Sequence, residues 1–326
     1  MASTVDSATL KVQIKEDITL NGTKRGAQLM HEFKEITQVD ERVLTVPTYE
    51  VGVLLLSSSA GPGTYESGSF KYARITNLDD KNGAFMLQNT KAKKYTYAIK
   101  KNAYYKVKLL EHQFSGMLIK IKNQEVWTSL IGGFNMQNIL AVYAVAELFE
   151  FSQLDILKQI SCLKNVEGRF QIFQTPNRIT VIIDYAHTPN ALENVLETIN
   201  KIRTRNEKLF TLLGCGGNRD QEKRPIMGQI ASKHSDKVIF TSDNPRHEDP
   251  EKIISQMIDG VSQENFKKIS KITLREEAIA TSAKLAQDGD VVLIAGKGHE
   301  SYQEIQGKYY PFNDLEVAKQ IFLNLD

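Results

Sequence analysis

With 326 residues, 41% hydrophobic and 25% charged, the chain has room for two or three globular domains and is not a wholly disordered polymer. A formal net charge of +2 excludes the strongly basic balance expected of a nucleic-acid binder or a polybasic membrane anchor. Its two cysteines, Cys162 and Cys215, make neither a disulfide framework nor a metal-ligand spacing, and suit a reducing compartment.

Residues 1–10 lack the basic start and apolar core of an export signal. The longest apolar run, at 51–56, is far shorter than a membrane span. A cytoplasmic monomer, with no membrane or nucleic-acid partner, is therefore expected. From 8 to 75 short alternating segments (10–14 and 42–46) are separated by Asn-Gly, Pro and a Ser/Gly-rich stretch at 57–68. This pattern predicts a small β-rich leader over 1–74, with a helix-like or irregular piece at 29–36 and a linker at 57–68. The basic run Lys91-Ala92-Lys93-Lys94 reads as a solvated loop or hairpin face.

Strands are predicted at 106–110, 117–121 and 125–130, followed by a helix over 135–149. Its apolar positions Ile139, Val142, Tyr143, Ala146 and Phe149 recur at three and four residues, which predicts one buried face. From Gly168 onward strand and helix alternate. The strand at 179–183 precedes a helix with the stripe Leu192, Val195, Leu196 and Ile199, and the strand at 209–213 precedes a helix through Ile226 and Ile230. The strand at 237–241 precedes a helix at 250–258, a helix at 278–285 precedes a strand at 290–294, and a helix at 314–322 ends the pattern. Such alternation predicts an α/β fold, a doubly wound, mainly parallel Rossmann-like sheet covered by helices.

Three of these strands run into polar, turn-forming loops: Gly214-Cys215-Gly216-Gly217-Asn218-Arg219-Asp220, Ser242-Asp243-Asn244-Pro245-Arg246, and Gly296-Lys297-Gly298-His299-Glu300. In a parallel sheet they gather on the carboxyl edge, where small ligands bind. A guanidinium offers the fork geometry that grips a carboxylate, and a carboxylate accepts from an ammonium. The tetrapeptide Asp243-Asn244-Pro245-Arg246 taken alone also reads as a plain turn with a surface charge. Gly296-Lys297-Gly298 alone is a weak phosphate-loop signal, because no Ser or Thr follows Lys297. Asn135 and Asn138 open the predicted helix as either a cap or a ligand contact. Asp184 is either a turn former or a ligand contact, and His187 is either structural or a donor and acceptor for ligand.

Six ordered segments carry a resemblance: Gly133-Phe134-Asn135-Met136-Gln137-Asn138, Gly168-Arg169-Phe170, Asp184-Tyr185-Ala186-His187-Thr188-Pro189-Asn190-Ala191-Leu192, and the three loops above. Their order resembles that in Mur ligases, over roughly three quarters of the chain, from 75 to the end. The resemblance implies peptidoglycan synthesis: ATP with Mg2+ activates a carboxylate as an acyl phosphate, which an amine attacks to form an amide. It implies ATP contacts at Asn138, Arg169, Asp184 and His187. It also implies an amino-acid pocket of Arg219, Asp243, Asn244, Pro245, Arg246, Gly296 and Glu300, in the manner of family members that join meso-diaminopimelate to a UDP-muramoyl dipeptide.

The pattern also departs from the family. No Gly-x-x-x-x-Gly-Lys-Ser/Thr occurs in the sequence, and the family's magnesium-binding segments and carbamylated lysine have no counterpart. The expected organisation is a leader (1–74), a partial central domain (75–166) and a C-terminal ligase domain (167–326), with no metal ligands and no assignable catalytic residue. Such a chain is expected to lack ligase activity alone, since charge on the transferred phosphoryl group would go unneutralised. The alternative is a non-catalytic fusion of a viral-type structural β module with a ligand-binding ligase remnant.

Overall fold

A computed structural model describes residues 70–88, 92–204 and 206–324, and before them the backbone of five strands. These are β1 (Leu10–Val12), β2 (Asp17–Leu20), β3 (Thr23–Gly26), β4 (Leu44–Val46) and β5 (Val53–Ser58). The chain divides into two units, Met1–Leu163 and Lys164–Asp326. The helix-like expectation at 29–36 lies outside the described residues. Among the described residues no helix is long and apolar enough to cross a membrane.

In the first unit β5 is followed by β6 (Phe70–Asn77), β7 (Lys93–Ala98), β8 (Tyr105–Gln113), β9 (Gly116–Ile121) and β10 (Gln124–Thr128). They form one six-stranded sheet in the order β10-β9-β8-β7-β6-β5. The three central strands are parallel and the flanking ones antiparallel. Two of the residues expected to be linker, Ser57 and Ser58, are instead in β5, opposite Lys71 and Phe70. The apolar run before them has the β-branched and leucine content of a strand, and pairing extends it into the serines. β6 runs through position 75.

Helices α1 (Gly133–Leu148) and α2 (Gln153–Cys162) cover this sheet. Ile139, Leu140 and Tyr143 of α1 join Ile75, Tyr97, Tyr105, Ile119 and Ile121 in one core. Burial lifts the Tyr143 phenol to about 12, with the Glu147 carboxylate adding to the shift. The buried arc of α1 is wider than one stripe, taking in Ala144 and Val145, because the helix packs against α2 as well as strands. Ser152 caps α2, accepting from the Asp155 amide. Lys93 and Lys94 are exposed at the start of β7, where the Lys93 ammonium lies 5.1 Å from the centre of the Tyr95 ring.

The second unit contains β11 (Gln171–Gln174), β12 (Thr180–Asp184), β13 (Leu209–Leu213), β14 (Lys237–Phe240), β15 (Ile269–Lys271) and β16 (Val291–Ala295) in the order β11-β12-β16-β13-β14-β15. Only β11 is antiparallel to its neighbour. Every residue of β12, β13 and β16 is buried, as continuous apolar runs demand of strands covered on both faces. The helices are α3 (Pro189–Ile202), α4 (Lys223–His234), α5 (Pro250–Ile258), α6 (Arg275–Leu285) and α7 (Asp314–Phe322). Ala278 and Ile279 of α6 and Ala318 and Phe322 of α7 pack on Val181, Ile183, Leu212 and Ile294. The α/β, mainly parallel architecture expected from the sequence is the one observed.

The buried face of α3 is the expected Leu192, Val195, Leu196 and Ile199. In α4 the buried positions are Arg224, Met227, Gly228, Ala231 and Ser232, and Ile226 is exposed. A buried arginine and small residues set that face, so its apolar pattern is faint.

Candidate functional site

Parallel register brings the strand ends level. Asp184 at the end of β12 is opposite Ala295 of β16, Leu213 of β13 is opposite the same Ala295, and Phe240 of β14 is opposite Leu213. The loops that follow must therefore meet at one edge. Gly296 shows how closely: at φ +116, a Cβ there would come within 2.7 Å of Asp243 Oδ2 and 3.2 Å of the Gly214 carbonyl oxygen. Gly216 likewise sits between the two arginines, where a Cβ would meet Arg246 Nη1 at 3.0 Å and Arg219 Cγ at 3.6 Å.

The Asp243-Asn244-Pro245-Arg246 loop is braced from both sides. Asp243 Oδ1 accepts from the Asn244 amide at 2.6 Å, and the Gly217 amide donates to the Asn244 carbonyl at 2.8 Å. Asn244 Nδ2 donates to Glu300 Oε2 at 2.7 Å. Lys297, whose side chain is fully buried, donates to that same Glu300 oxygen (3.1 Å), to Asn244 Oδ1 (3.3 Å) and to the Tyr302 carbonyl (2.5 Å). A lysine so enclosed is turned inward, which removes the phosphate-loop reading of Gly296-Lys297-Gly298.

Arg246 adopts φ 52, unusual for a residue with a side chain. Its Nη1 donates to the Gly217 carbonyl at 2.9 Å, and its Nε lies 3.0 Å from Glu304 Oε2, with both side chains 17% exposed. Glu304 stands in β17 (Tyr302–Ile305), which pairs with β18 (Lys308–Pro311) in a two-stranded hairpin. Arg219 is exposed beside this group, its Nη1 reaching only the Asn218 carbonyl at 3.5 Å.

Beneath the arginines, fully buried Arg224 grips Glu248 with Nη1–Oε2 at 2.8 Å and Nη2–Oε1 at 3.0 Å, while Nη2 also donates to the Gly216 carbonyl at 3.1 Å. The Asn218 amide donates to Glu248 as well. The Arg224 guanidinium holds the Glu248 carboxyl below its ordinary range, with the Asn218 amide acting in the same direction. Nearby Cys215 is buried and its thiol is pushed up to about 12 by desolvation, so it is a packing residue and not a nucleophile.

The second group of expected residues meets at the end of β12, on the same sheet edge. Asp184 Oδ2 accepts from the Phe170 amide at 2.7 Å and Oδ1 from the Ala186 amide at 2.8 Å. The Arg169 guanidinium lies 4.8 Å from the centre of the Tyr185 ring, which also packs against His187 and His299. His187 Nδ1 is 2.9 Å from the Tyr185 carbonyl, and Lys223 donates to the His187 carbonyl at 2.7 Å. Gly168 and Gly298, both at positive φ, let the Arg169 segment lie against 298–299; a Cβ on Gly168 would fall 2.1 Å from the His299 amide nitrogen. A half-buried cation and an aromatic face beside a buried carboxylate are groups that a nucleotide can use. Among the described residues no group of three His, Cys, Asp or Glu side chains is placed to hold a metal ion.

Asn138 belongs to the first unit. Neither it nor Asn135 caps α1, whose N-cap is Gly132 at φ 98. Asn135 Nδ2 instead donates to the Ile131 carbonyl at 2.8 Å, and Asn138 Nδ2 is 3.4 Å from Asn135 Oδ1. The sequence gives no pointer to Glu304, Glu248 or Arg224. None of the three belongs to a motif or an apolar stripe, and only the fold brings Arg224 of α4, Glu248 of the loop before α5 and Glu304 of the hairpin to the edge.

A parallel sheet whose three carboxyl-edge loops are Gly-rich, Asp-Asn-Pro-Arg and Gly-Lys-Gly-His-Glu defines a class. Residues 168–298 match the Mur ligase, glutamate ligase domain and residues 66–146 the Mur ligase middle domain, and the chain belongs to the Mur ligase family. It is 50% identical over 250 residues to the UDP-N-acetylmuramoyl-L-alanyl-D-glutamate--2,6-diaminopimelate ligase of Phocaeicola vulgatus, covering 77% of this chain and 52% of that protein. The protein of the same name from Aquifex aeolicus is 43% identical over 252 residues, covering 76% and 51%. A solved structure of a ligase of that name superposes with a TM-score of 0.55 at 36% identity, over 77% of this chain and 53% of the other. The chain thus spans about half the length of the relatives it matches.

Proposed function

We propose that this chain is the amino-acid-binding part of an ATP-dependent ligase that joins meso-diaminopimelate to UDP-N-acetylmuramoyl-L-alanyl-D-glutamate in peptidoglycan synthesis. The observation that carries the reading is the convergence of Arg246 with the Gly216 turn and the Glu300 loop on one sheet edge, the chemistry of a pocket for a substrate with a second carboxylate. The names and identities of the relatives support the same reading. In it Arg246 takes the distal carboxylate, Arg219 closes over it, Gly296 lets the substrate approach the backbone, and Glu300 receives an ammonium, while Asp243, Asn244 and Pro245 set the loop.

Bound ATP supplies the phosphoryl group that activates the dipeptide carboxylate. Arg169 suits a phosphate, Asp184 a ribose hydroxyl, and His187 and Asn138 the remainder of the nucleotide; no residue here is assigned to magnesium. The organisation 1–74, 75–166 and 167–326 is part of the proposal, as is the absence of turnover by these 326 residues without a phosphate loop.

Two measurements on the full chain test this. Equilibrium dialysis should show retention of meso-diaminopimelate over lysine, with Arg246→Ala losing about 1.5–3 kcal/mol, a roughly ten- to hundredfold change. An assay with ATP, the muramoyl dipeptide and diaminopimelate should yield no amide product. Equal retention of the two amino acids contradicts the pocket, and robust turnover contradicts the role given to the phosphate loop.

A further inference from the structure

Arg246 and Glu304 are carried on one frame. The Arg246 amide donates to the Glu304 carbonyl at 2.9 Å, and the Gln306 amide donates to the Arg246 carbonyl at 2.7 Å. The Glu304 amide donates to Asn244 Oδ1 at 2.9 Å, and Gln303 Nε2 donates to the Asp243 carbonyl at 2.8 Å. These bonds fix β17 along the 243–246 loop, so the two charged side chains meet as neighbours on a common support. Arg246 is further anchored on the Gly217 carbonyl at 2.9 Å.

The two carboxylates of the site differ in their partners. Glu300 Oε2 shares its charge with Lys297, a cation with no exposed surface that is also tied to Asn244 and Tyr302. A ligand ammonium that reaches Glu300 therefore adds to this group and does not displace Lys297. Glu304 shares its charge with Arg246, 3.0 Å away, and both side chains keep 17% exposure. The edge therefore presents a plus and a minus charge side by side, reachable from solvent.

We propose that Arg246 and Glu304 together form a two-charge clamp for a zwitterionic amino-acid end, the carboxylate pairing with Arg246 and the ammonium with Glu304 in addition to Glu300. The proposal rests on the reading of Arg246 above and adds Glu304 as a specificity-determining residue. One internal ion pair opens and two pairs form with the ligand, so no charge is left uncompensated. A side chain ending in a bare ammonium, such as lysine, pairs with Glu304 only by stripping Arg246 of its partner. Specificity then comes as much from the charge left unpaired with the wrong ligand as from contacts with the right one.

Calorimetric titration of the full chain with meso-diaminopimelate and with Nα-acetyl-L-lysine amide, a lysine whose only charge is the side-chain ammonium, tests the clamp on the parent, Glu304→Gln, Arg246→Ala and the double variant, each checked for unchanged thermal unfolding. Glu304→Gln is expected to weaken diaminopimelate binding about tenfold, the scale of one charge-assisted contact. Arg246→Ala is expected to weaken diaminopimelate and to tighten the lysine amide, because Glu304 is then free for its ammonium, and the double variant is expected to lose that gain. Glu304→Gln binding diaminopimelate as well as the parent, or better, overturns the clamp; tighter binding marks Glu304 as a competitor for Arg246. Should Glu304→Gln fail to fold, the lysine gain in Arg246→Ala decides alone, and its absence overturns the proposal. If Arg246→Ala leaves diaminopimelate binding unchanged, or the parent takes up none, the reading of Arg246 itself falls. Loss in Arg246→Ala without loss in Glu304→Gln removes only the clamp.

Discussion

Arg275 and Asp314 form a two-point ion pair with neither side chain exposed, Nε to Oδ1 and Nη2 to Oδ2 both at 2.7 Å. The arginine opens α6 and the aspartate opens α7, and the guanidinium also donates to the carbonyls of Ser242 (3.3 Å) and Ala295 (3.1 Å). Burial disfavours the arginine cation, and the facing carboxylate more than restores it. The pair thereby ties two helices to the backbone at the ends of β14 and β16, directly behind the loops of the site.

Removing one member leaves a buried charge alone. Asp314→Ala is expected to cost about 3–5 kcal/mol in urea unfolding, whereas replacing both residues with apolar ones of similar volume costs far less. A loss under about 1 kcal/mol for the single change contradicts a dry, paired arginine.

Gly296→Ala places a methyl 2.7 Å from Asp243 Oδ2 on a backbone at φ +116. The expected outcome is a folded protein, destabilised by about 1–3 kcal/mol, whose three loops no longer close and whose diaminopimelate binding is lost. Unchanged binding by equilibrium dialysis shows that the loops need not meet.

Much of this was legible in the sequence for a simple reason: strands buried on both faces must be continuous apolar runs, so β12, β13 and β16 announce themselves, and polar loops after them fall on the carboxyl edge. The hairpin β17–β18 gives no such signal, because β18 is exposed throughout and β17 has no fully buried residue. Its contribution to the site, Glu304, depends on backbone pairing with Arg246 that no periodicity encodes. Helix α2 was equally hidden, since only Ile156, Leu157 and Ile160 of its ten residues are buried. The inward turn of Lys297 is likewise hidden in the sequence, since nothing in Gly-Lys-Gly distinguishes a lysine facing a phosphate from one facing Asn244.

Glu248 makes a prediction about pH. Its folded-state pKa is depressed, chiefly by Arg224, so the folded protein binds fewer protons than the unfolded chain across that interval. The stabilisation is complete above the ordinary glutamate value of about 4.3 and is lost as pH falls through the lower folded value. Melting temperatures measured from about pH 6 downward should fall less steeply in Glu248→Gln than in the parent, and identical slopes contradict the linkage.

The two thiols should differ in reactivity. Cys162 is exposed, while Cys215 is buried, in contact with Met227 Sδ at 3.8 Å and pushed up to about 12. Under native conditions a thiol reagent at neutral pH should label Cys162 alone, with Cys215 following only on unfolding. Rapid native labelling of Cys215 by peptide mass analysis contradicts the packing beneath the Gly216 turn.

The most direct test of the amino-acid pocket is a crystal structure of the full chain soaked with meso-diaminopimelate. The prediction is density for the ligand between the Gly216 turn, the 243–246 loop and Glu300, with its distal carboxylate within hydrogen-bonding distance of the Arg246 guanidinium. A ligand bound elsewhere, or bound here with that carboxylate directed away from Arg246, contradicts it.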